Sequence, residues 1–185
     1  LRAHAVFIII VITAYMFWFG CEDTASPGGG FSLLRAQGTR IVDESGHEVP
    51  LKGVNLGNWF LLEMWMLGPA GSGLADQYSL EKLLETRFGG GEKERLLDLY
   101  REHYITERDF RIIKSFGMNM VRLPFWYTLL EDDAHPGQLK EGSWRWLDRA
   151  VDMAGRYGLY MVLDMHGAPG SQNIWDHSGR AGFNR

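Results

Sequence analysis

A parallel α/β protein, of the (β/α)8 TIM-barrel kind, is what this sequence predicts, on three observations. Two apolar runs, at 118–124 and 159–165, each follow a helical stretch closed by a glycine, Gly117 or Gly158. Helix, glycine turn, buried strand and polar loop, repeated, is the pattern of a parallel sheet. Each run also stops abruptly at polar residues, where sites in such sheets collect. Finally, no strand is followed by a G-x-G-x-x-G or G-x-x-x-x-G-K-[ST] sequence. That turns the reading away from nucleotide-binding folds and towards a barrel, whose site draws on every strand end.

Taken in order, the chain opens with Arg2 and His4 and an uncharged apolar stretch at 5–20. At 16 residues it falls short of the roughly 20 needed to span a bilayer. A basic start, an apolar core and a small residue at the end predict a secretory signal. Gly20-Cys21 resembles a lipoprotein signal, with Cys21 as the lipid-bearing residue, so residues 1–21 are expected to export or anchor the protein at the cell surface. Residues 22–38 form a Gly-rich linker and lead-in. Residues 39–51 read as a hairpin around an Asp/Ser/Gly turn, and 51–56 as a short strand breaking at Gly57-Asn58-Trp59. Ser79 is placed to cap a helix over 80–88, ended by the glycines at 89–91. A second helix at 92–104 carries Leu96, Leu97, Tyr100 and Tyr104 along one stripe. Thr106 and Asp109 have the form of a capping box. Ser143 is read as the start of the helix that presents Leu147, Ala150, Val151 and Ala154.

This gives three barrel strands, near 52–56, 118–123 and 160–165. A full barrel needs eight strands and about 250 residues. Residues 39–185 are therefore expected to be the N-terminal part of a barrel, about three β/α units. Such a piece would leave its third strand as an open edge, unstable and inactive alone.

The composition excludes some classes. A net charge of −4 offers no basic face for nucleic acid. A single cysteine excludes an intrachain disulfide and a four-cysteine zinc site. Seven Trp, seven Tyr and ten Phe suit both core packing and stacking on sugar rings.

Polar groups stand at all three strand ends: Asn55, Asn58 and Glu63, then Arg122, then Asp164 and His166. Arg122 lies within an apolar strand, and a buried guanidinium needs a carboxylate partner, expected from another strand. Asp164 and His166 point to one face, a spacing that allows a metal pair. No second such pair exists, so Asp164 is read as a structural partner, and no metal or cofactor is expected. Trp59 and Trp65 are read as packing beneath the barrel mouth.

The segments Gly53-Val-Asn-Leu-Gly-Asn-Trp-Phe-Leu-Leu-Glu63-Met-Trp65, Val121-Arg-Leu-Pro124 and Asp164-Met-His-Gly-Ala-Pro-Gly-Ser-Gln-Asn-Ile-Trp-Asp-His-Ser-Gly179 together resemble glycoside hydrolase family 5, most nearly its exo-β-1,3-glucanase branch. The resemblance implies a barrel that hydrolyses β-glucosidic bonds with retention. Its two catalytic glutamates, on later strands, would lie beyond Arg185, so no catalytic residue is assigned here. By the same resemblance Arg122 keeps the nucleophile ionised, and His166 lines the glucose subsite. Glu63 binds hydroxyls of the terminal glucose, Trp175 stacks on the next sugar, and Asp176 and His177 touch the terminal unit. His177 stands where the family more usually has Asn. The implied partner is β-glucan. An endo-β-1,4-glucanase, a carbohydrate-binding protein without catalysis, and a metal-dependent hydrolase remain as alternatives.

Overall fold

In the computed structural model, residues 32–68 and 73–183 are described. The apolar stretch and Cys21 lie outside them, as does the start of the lead-in. Among the described residues no helix is long and apolar enough to cross a membrane.

Two sheets form. A small antiparallel pair, β1 (Arg35–Gln37) and β2 (Arg40–Val42), turns through Gly38, whose φ of 62° suits a residue without Cβ. The hairpin therefore begins inside the stretch read as lead-in. The expected Asp/Ser/Gly turn does form, with Gly46 N–H donating to the Asp43 carbonyl at 3.1 Å. Its far arm reaches only a single bridge, Val42 to Glu48.

The second sheet is parallel, in the order β3 (Gly53–Asn55), β4 (Met120–Trp126), β5 (Tyr160–Gly167). Its strands match the three expected near 52–56, 118–123 and 160–165. Asn55 pairs with Arg122, Arg122 with Val162 and Pro124 with Asp164, and the register shifts between Pro124 and Trp126. Gly53 allows β3 to approach closely, since a Cβ there would stand 2.1 Å from the Met120 carbonyl oxygen. Side chains alternate along β4. Val121, Leu123 and Phe125 face the core, and Arg122 shares the other face with Pro124 and Trp126.

Between these strands lie α1 (Met64–Leu67), α2 (Gln77–Phe88), α3 (Gly90–Tyr104), α4 (Glu107–Ser115) and α5 (Arg145–Arg156). The Thr106–Asp109 capping box forms with both of its bonds. Ser79 is not the cap of α2. The Asp76 side chain is, accepting from the Ser79 N–H at 2.7 Å, which places Ser79 in the first turn. Helix α5 starts two residues after Ser143. It buries Leu147, Ala150, Met153 and Ala154, whereas Val151 is exposed. The stripe facing the sheet runs through Met153, and Val151 lies beside it.

The core joins α4 and α5 to β4: Phe110, Val121, Leu123, Ala150 and Met153 are at most 1% exposed, with Trp59, Phe60 and Leu147 beside them. On β5, by contrast, Val162, Leu163 and Met165 are each 45% exposed, as expected of an edge with one described neighbour.

Asp98 of α3 fastens that helix to α5. It accepts from Arg145, from the Trp146 indole N–H at 3.2 Å and from Arg101 at 3.2 Å. Burial works against its ionisation, but the hydrogen bond and charge of Arg145, with Arg101 and Trp146, outweigh it and hold the carboxyl below the usual range. A depressed carboxylate adds stability above its unfolded pKa of about 4, and that stability fades as pH falls through the folded value. Asp98→Asn should flatten the loss of stability between about pH 5 and 3, as read from urea melts at stepped pH. An unchanged acid limb would show that solvent already screens this cluster.

Candidate functional site

The parallel strands deliver their polar ends to one place. Arg122 donates through Nη1 to Asn55 Oδ1 at 3.3 Å, across the β3–β4 register, and through Nη2 to Asp164 on β5. The partner expected on another strand is Asp164. A guanidinium one-third exposed is thus held between its two neighbouring strands, and its charge is compensated by the Asp164 carboxylate. His166 Nδ1 lies 3.1 Å from the same Asp164 oxygen and 3.1 Å from Arg122 Nη2. Its Nε2 lies 3.1 Å from His177 Nδ1, with the two rings tilted at 34°. Both ring nitrogens of His166 therefore face protein groups.

Two loops rise beside this cluster. In the first, Asn58 is fully buried at φ 60°. Its Oδ1 accepts from the Glu63 N–H at 2.7 Å, and the Tyr100 hydroxyl donates to its carbonyl at 2.6 Å. This closes the turn that presents Glu63. The Trp65 indole N–H then donates to Glu63 Oε2 at 2.9 Å. Trp59 packs in the core and bonds the Arg101 carbonyl at 2.7 Å, as expected. Trp65 does not pack: it is 69% exposed. It is the second residue of the one-turn helix α1, whose only buried residue is Met64, so its ring stays at the rim and orients Glu63.

The second loop follows β5 and carries Trp175, 63% exposed, ahead of Asp176 and His177. Asp176 Oδ2 accepts from the Met64 N–H at 3.0 Å. That bond caps α1 from 112 residues away, where Glu63 provides no side-chain cap. Glu63, Trp175 and Asp176 are thereby set on one rim, above Arg122, Asp164 and His166. Asn173 Nδ2 lies 3.3 Å from His177 Nε2 and completes the row.

Several supporting residues escape a reading of the sequence alone. Trp126, at the irregular end of β4, lies beneath the second loop. A Cβ added at Gly167 or Gly179 would meet its ring at 2.6 Å, so both glycines are needed for close approach. Asp76 does double duty: beyond capping α2, its Oδ2 takes the Ala181 N–H at 2.6 Å, while Tyr78 N–H reaches the Gly179 carbonyl at 3.0 Å. Gln77 is buried and accepts the Leu62 N–H at 2.8 Å. The glycines were visible in the motif, but their partner was not. Among the described residues, no three His, Cys, Asp or Glu side chains are placed to hold a metal ion.

Comparison with known proteins identifies the family. The family model described as cellulase (glycosyl hydrolase family 5) matches residues 84–182, and the chain belongs to that family. It is 39% identical over 147 residues to a beta-xylosidase of Phanerodontia chrysosporium, covering 80% of this chain and 30% of that one. It is 41% identical over 142 residues to a glucan 1,3-beta-glucosidase of Blumeria graminis, covering 71% and 31%. Its backbone resembles the crystal structure of AoRut with a TM-score of 0.58 at 28% identity, over 72% of this chain and 37% of that one. The chain spans about 30% of the length of these two relatives.

The ion pair predicts its own test. Asp164→Asn keeps the shape but removes the charge facing Arg122. Stability to urea should fall by about 1–2 kcal/mol, the lower part of the range for a charged hydrogen bond because the pair is partly solvated. A change within about 0.3 kcal/mol would mean that water serves Arg122 as well as Asp164 does.

Proposed function

We propose that this member of glycosyl hydrolase family 5 forms the N-terminal part of a (β/α)8 barrel. The whole enzyme would hydrolyse β-glucosidic bonds with retention, acting from the chain end of β-1,3-glucan. The observation that carries this reading is the bond from Met64 N–H to Asp176 Oδ2. It ties the two rim loops together, so that a carboxylate from each and the exposed indoles of Trp65 and Trp175 flank one strand-end cluster. Carboxylates and aromatic faces are what a sugar offers contacts to: hydroxyls for the first, apolar ring faces for the second.

In this mechanism the residues of this chain bind and orient. Glu63, fixed by Asn58 and Trp65, accepts hydroxyl protons of the terminal sugar and closes that end of the cleft. Asp176 approaches the same unit, His177 and His166 line its pocket, and Trp175 stacks on the following ring. As the family resemblance implies, Arg122 is the cation that would keep the nucleophile of a later strand ionised. Retention takes two carboxyl groups about 5–5.5 Å apart, one acid/base and one nucleophile. Neither Glu63 nor Asp176 is assigned those roles, because each is committed to the rim. The pair comes from later strands of the barrel, as the family pattern implies. The apolar stretch ahead of Cys21 supports export to the cell surface or beyond, where polysaccharide is met.

Likeness to a beta-xylosidase favours a second reading, in which the terminal unit is a pentose. The full-length enzyme should release glucose from laminarin and leave carboxymethylcellulose viscosity unchanged. It should also prefer an aryl β-glucoside to the β-xyloside. The reverse preference supports the second reading, falling viscosity an endo-acting cellulase, and no turnover a binding protein. Glu63→Gln should lower kcat/KM on laminarin by about 10–100-fold, the loss of one charged hydrogen bond. An unaltered value would remove Glu63 from the sugar site.

A further inference from the structure

We infer that Gln77 is a positioning residue for Glu63, held to that task by Glu81; the consequence for sugar binding rests on the role proposed above for Glu63. Residues 61–63 belong to no helix or strand, so no ladder of backbone bonds fixes the peptide planes beside Glu63. Side chains fix them instead. Three consecutive backbone N–H groups each donate to a side-chain oxygen. Leu62 donates to Gln77 Oε1 at 2.8 Å, Glu63 to Asn58 Oδ1 at 2.7 Å and Met64 to Asp176 Oδ2 at 3.0 Å. Asn58 and Asp176 belong to the two rim loops themselves. Gln77 does not: it is the first residue of α2, and it reaches the turn from within the protein.

The contact is closed to water, since Gln77 is 3% exposed and Leu62 4%. A buried N–H left without an acceptor bears its full desolvation, so the Leu62 peptide cannot leave Gln77 cheaply. An amide has two ends, and the second steadies the first. The Leu62 N–H can only donate, so Gln77 presents its oxygen there and its nitrogen points away. One turn along α2, Glu81 Oε1 accepts from that nitrogen at 2.7 Å, an i, i+4 pair on the helix surface. A carboxyl group keeps an accepting oxygen whether or not it is ionised, so this link holds in either state. Burial pushes the Glu81 carboxyl up, and the Gln77 hydrogen bond works against that shift, followed by the charges of Arg101 and Lys93.

Without Glu81 the Gln77 nitrogen would be a buried donor with nothing to meet, and the side chain would gain by turning away from Leu62. Gln77 therefore acts on the Glu63 carboxylate through the Leu62 peptide, and Glu81 acts through Gln77. Glu81 also lines a cavity of about 330 Å³ beside Lys93, Arg101 and Lys140, so a substitution there has room.

The test is a double-mutant cycle in the full-length protein. Gln77→Met has a similar shape but neither acceptor nor donor, and should lower kcat/KM on laminarin by about threefold to tenfold, the effect of one lost hydrogen bond. In a Glu63→Gln background the same substitution should cost less than about twofold, because the two residues act in series. Equal losses in both backgrounds, or no loss in either, would overturn the inference, since a residue that only stabilises the fold acts independently of Glu63. Glu81→Met should move kcat/KM in the same direction as Gln77→Met, whereas Glu81→Gln, which keeps an acceptor, should match the wild type. Equal losses in the two Glu81 variants would also overturn it.

Hydrogen exchange in peptides spanning residues 60–65, read by mass spectrometry, follows the same turn without turnover of substrate. Gln77→Met and Glu81→Met should each speed exchange there by about tenfold or more, and Glu81→Gln should leave it unchanged. Exchange unaltered in Glu81→Met would overturn the inference. Should Gln77→Met fail to fold, the two Glu81 variants decide alone. If exchange follows the expected pattern while Glu63→Gln leaves laminarin hydrolysis intact, the sugar-binding role of Glu63 fails and the positioning of its turn by Gln77 stands.

Discussion

A guanidinium set in the middle of a buried strand is the constraint on which the rest of this structure depends. Arg122 sits between Val121 and Leu123, both fully buried, and cannot leave the sheet without unpacking them. Its charge must be met from the neighbouring strands. Asn55 on β3 and Asp164 on β5 meet it, which is possible only in the observed register, because a one-residue slip would send either group to the opposite face. The ion pair thus specifies the alignment of three strands as much as it stabilises them. That alignment in turn brings His166, two residues beyond Asp164, onto the same face.

Above this cluster the loops are held by bonds between distant parts of the chain. Asp176 caps a helix that begins at Met64, Asp76 binds both its own helix and Ala181, and Trp126 supports Gly167 and Gly179 from below. Each anchor comes from a buried or half-buried group of short reach, so the rim that carries Glu63, Trp65 and Trp175 is built on rigid supports. Preorganisation of this kind suits a site that must recognise hydroxyl positions on a rigid sugar ring.

Much of this was legible in the sequence, and the failures are instructive. Alternation of helix, glycine and apolar run announced the parallel strands because both the 3.6-residue and the two-residue periods are local signals. The need of Arg122 for a carboxylate on another strand followed from desolvation alone. Helix starts were less legible. Ser79 and Asp76 are both good cap residues, and nothing local marks Asp76, whose second oxygen also binds the Ala181 N–H far along the chain. Val151 matched the helical stripe as well as Met153 did, and only the sheet position separates them. Trp65 was read as packing beneath the barrel mouth, yet as the second residue of a four-residue helix that buries only Met64 it stays at the rim. The contacts that join Asn173, His177 and His166 could not be read from spacing, since they depend on how the loop after β5 folds back over its end.

The central claim is that the strand-end cluster and its rim form one wall of a sugar pocket. A crystal structure of the full-length protein with glucose bound tests it most directly. The account predicts the sugar ring against Glu63 and Asp176, with Trp175 at the entrance and Arg122 still held between Asn55 and Asp164. A sugar bound elsewhere, or an Arg122 turned away from Asp164 in the complex, would contradict it.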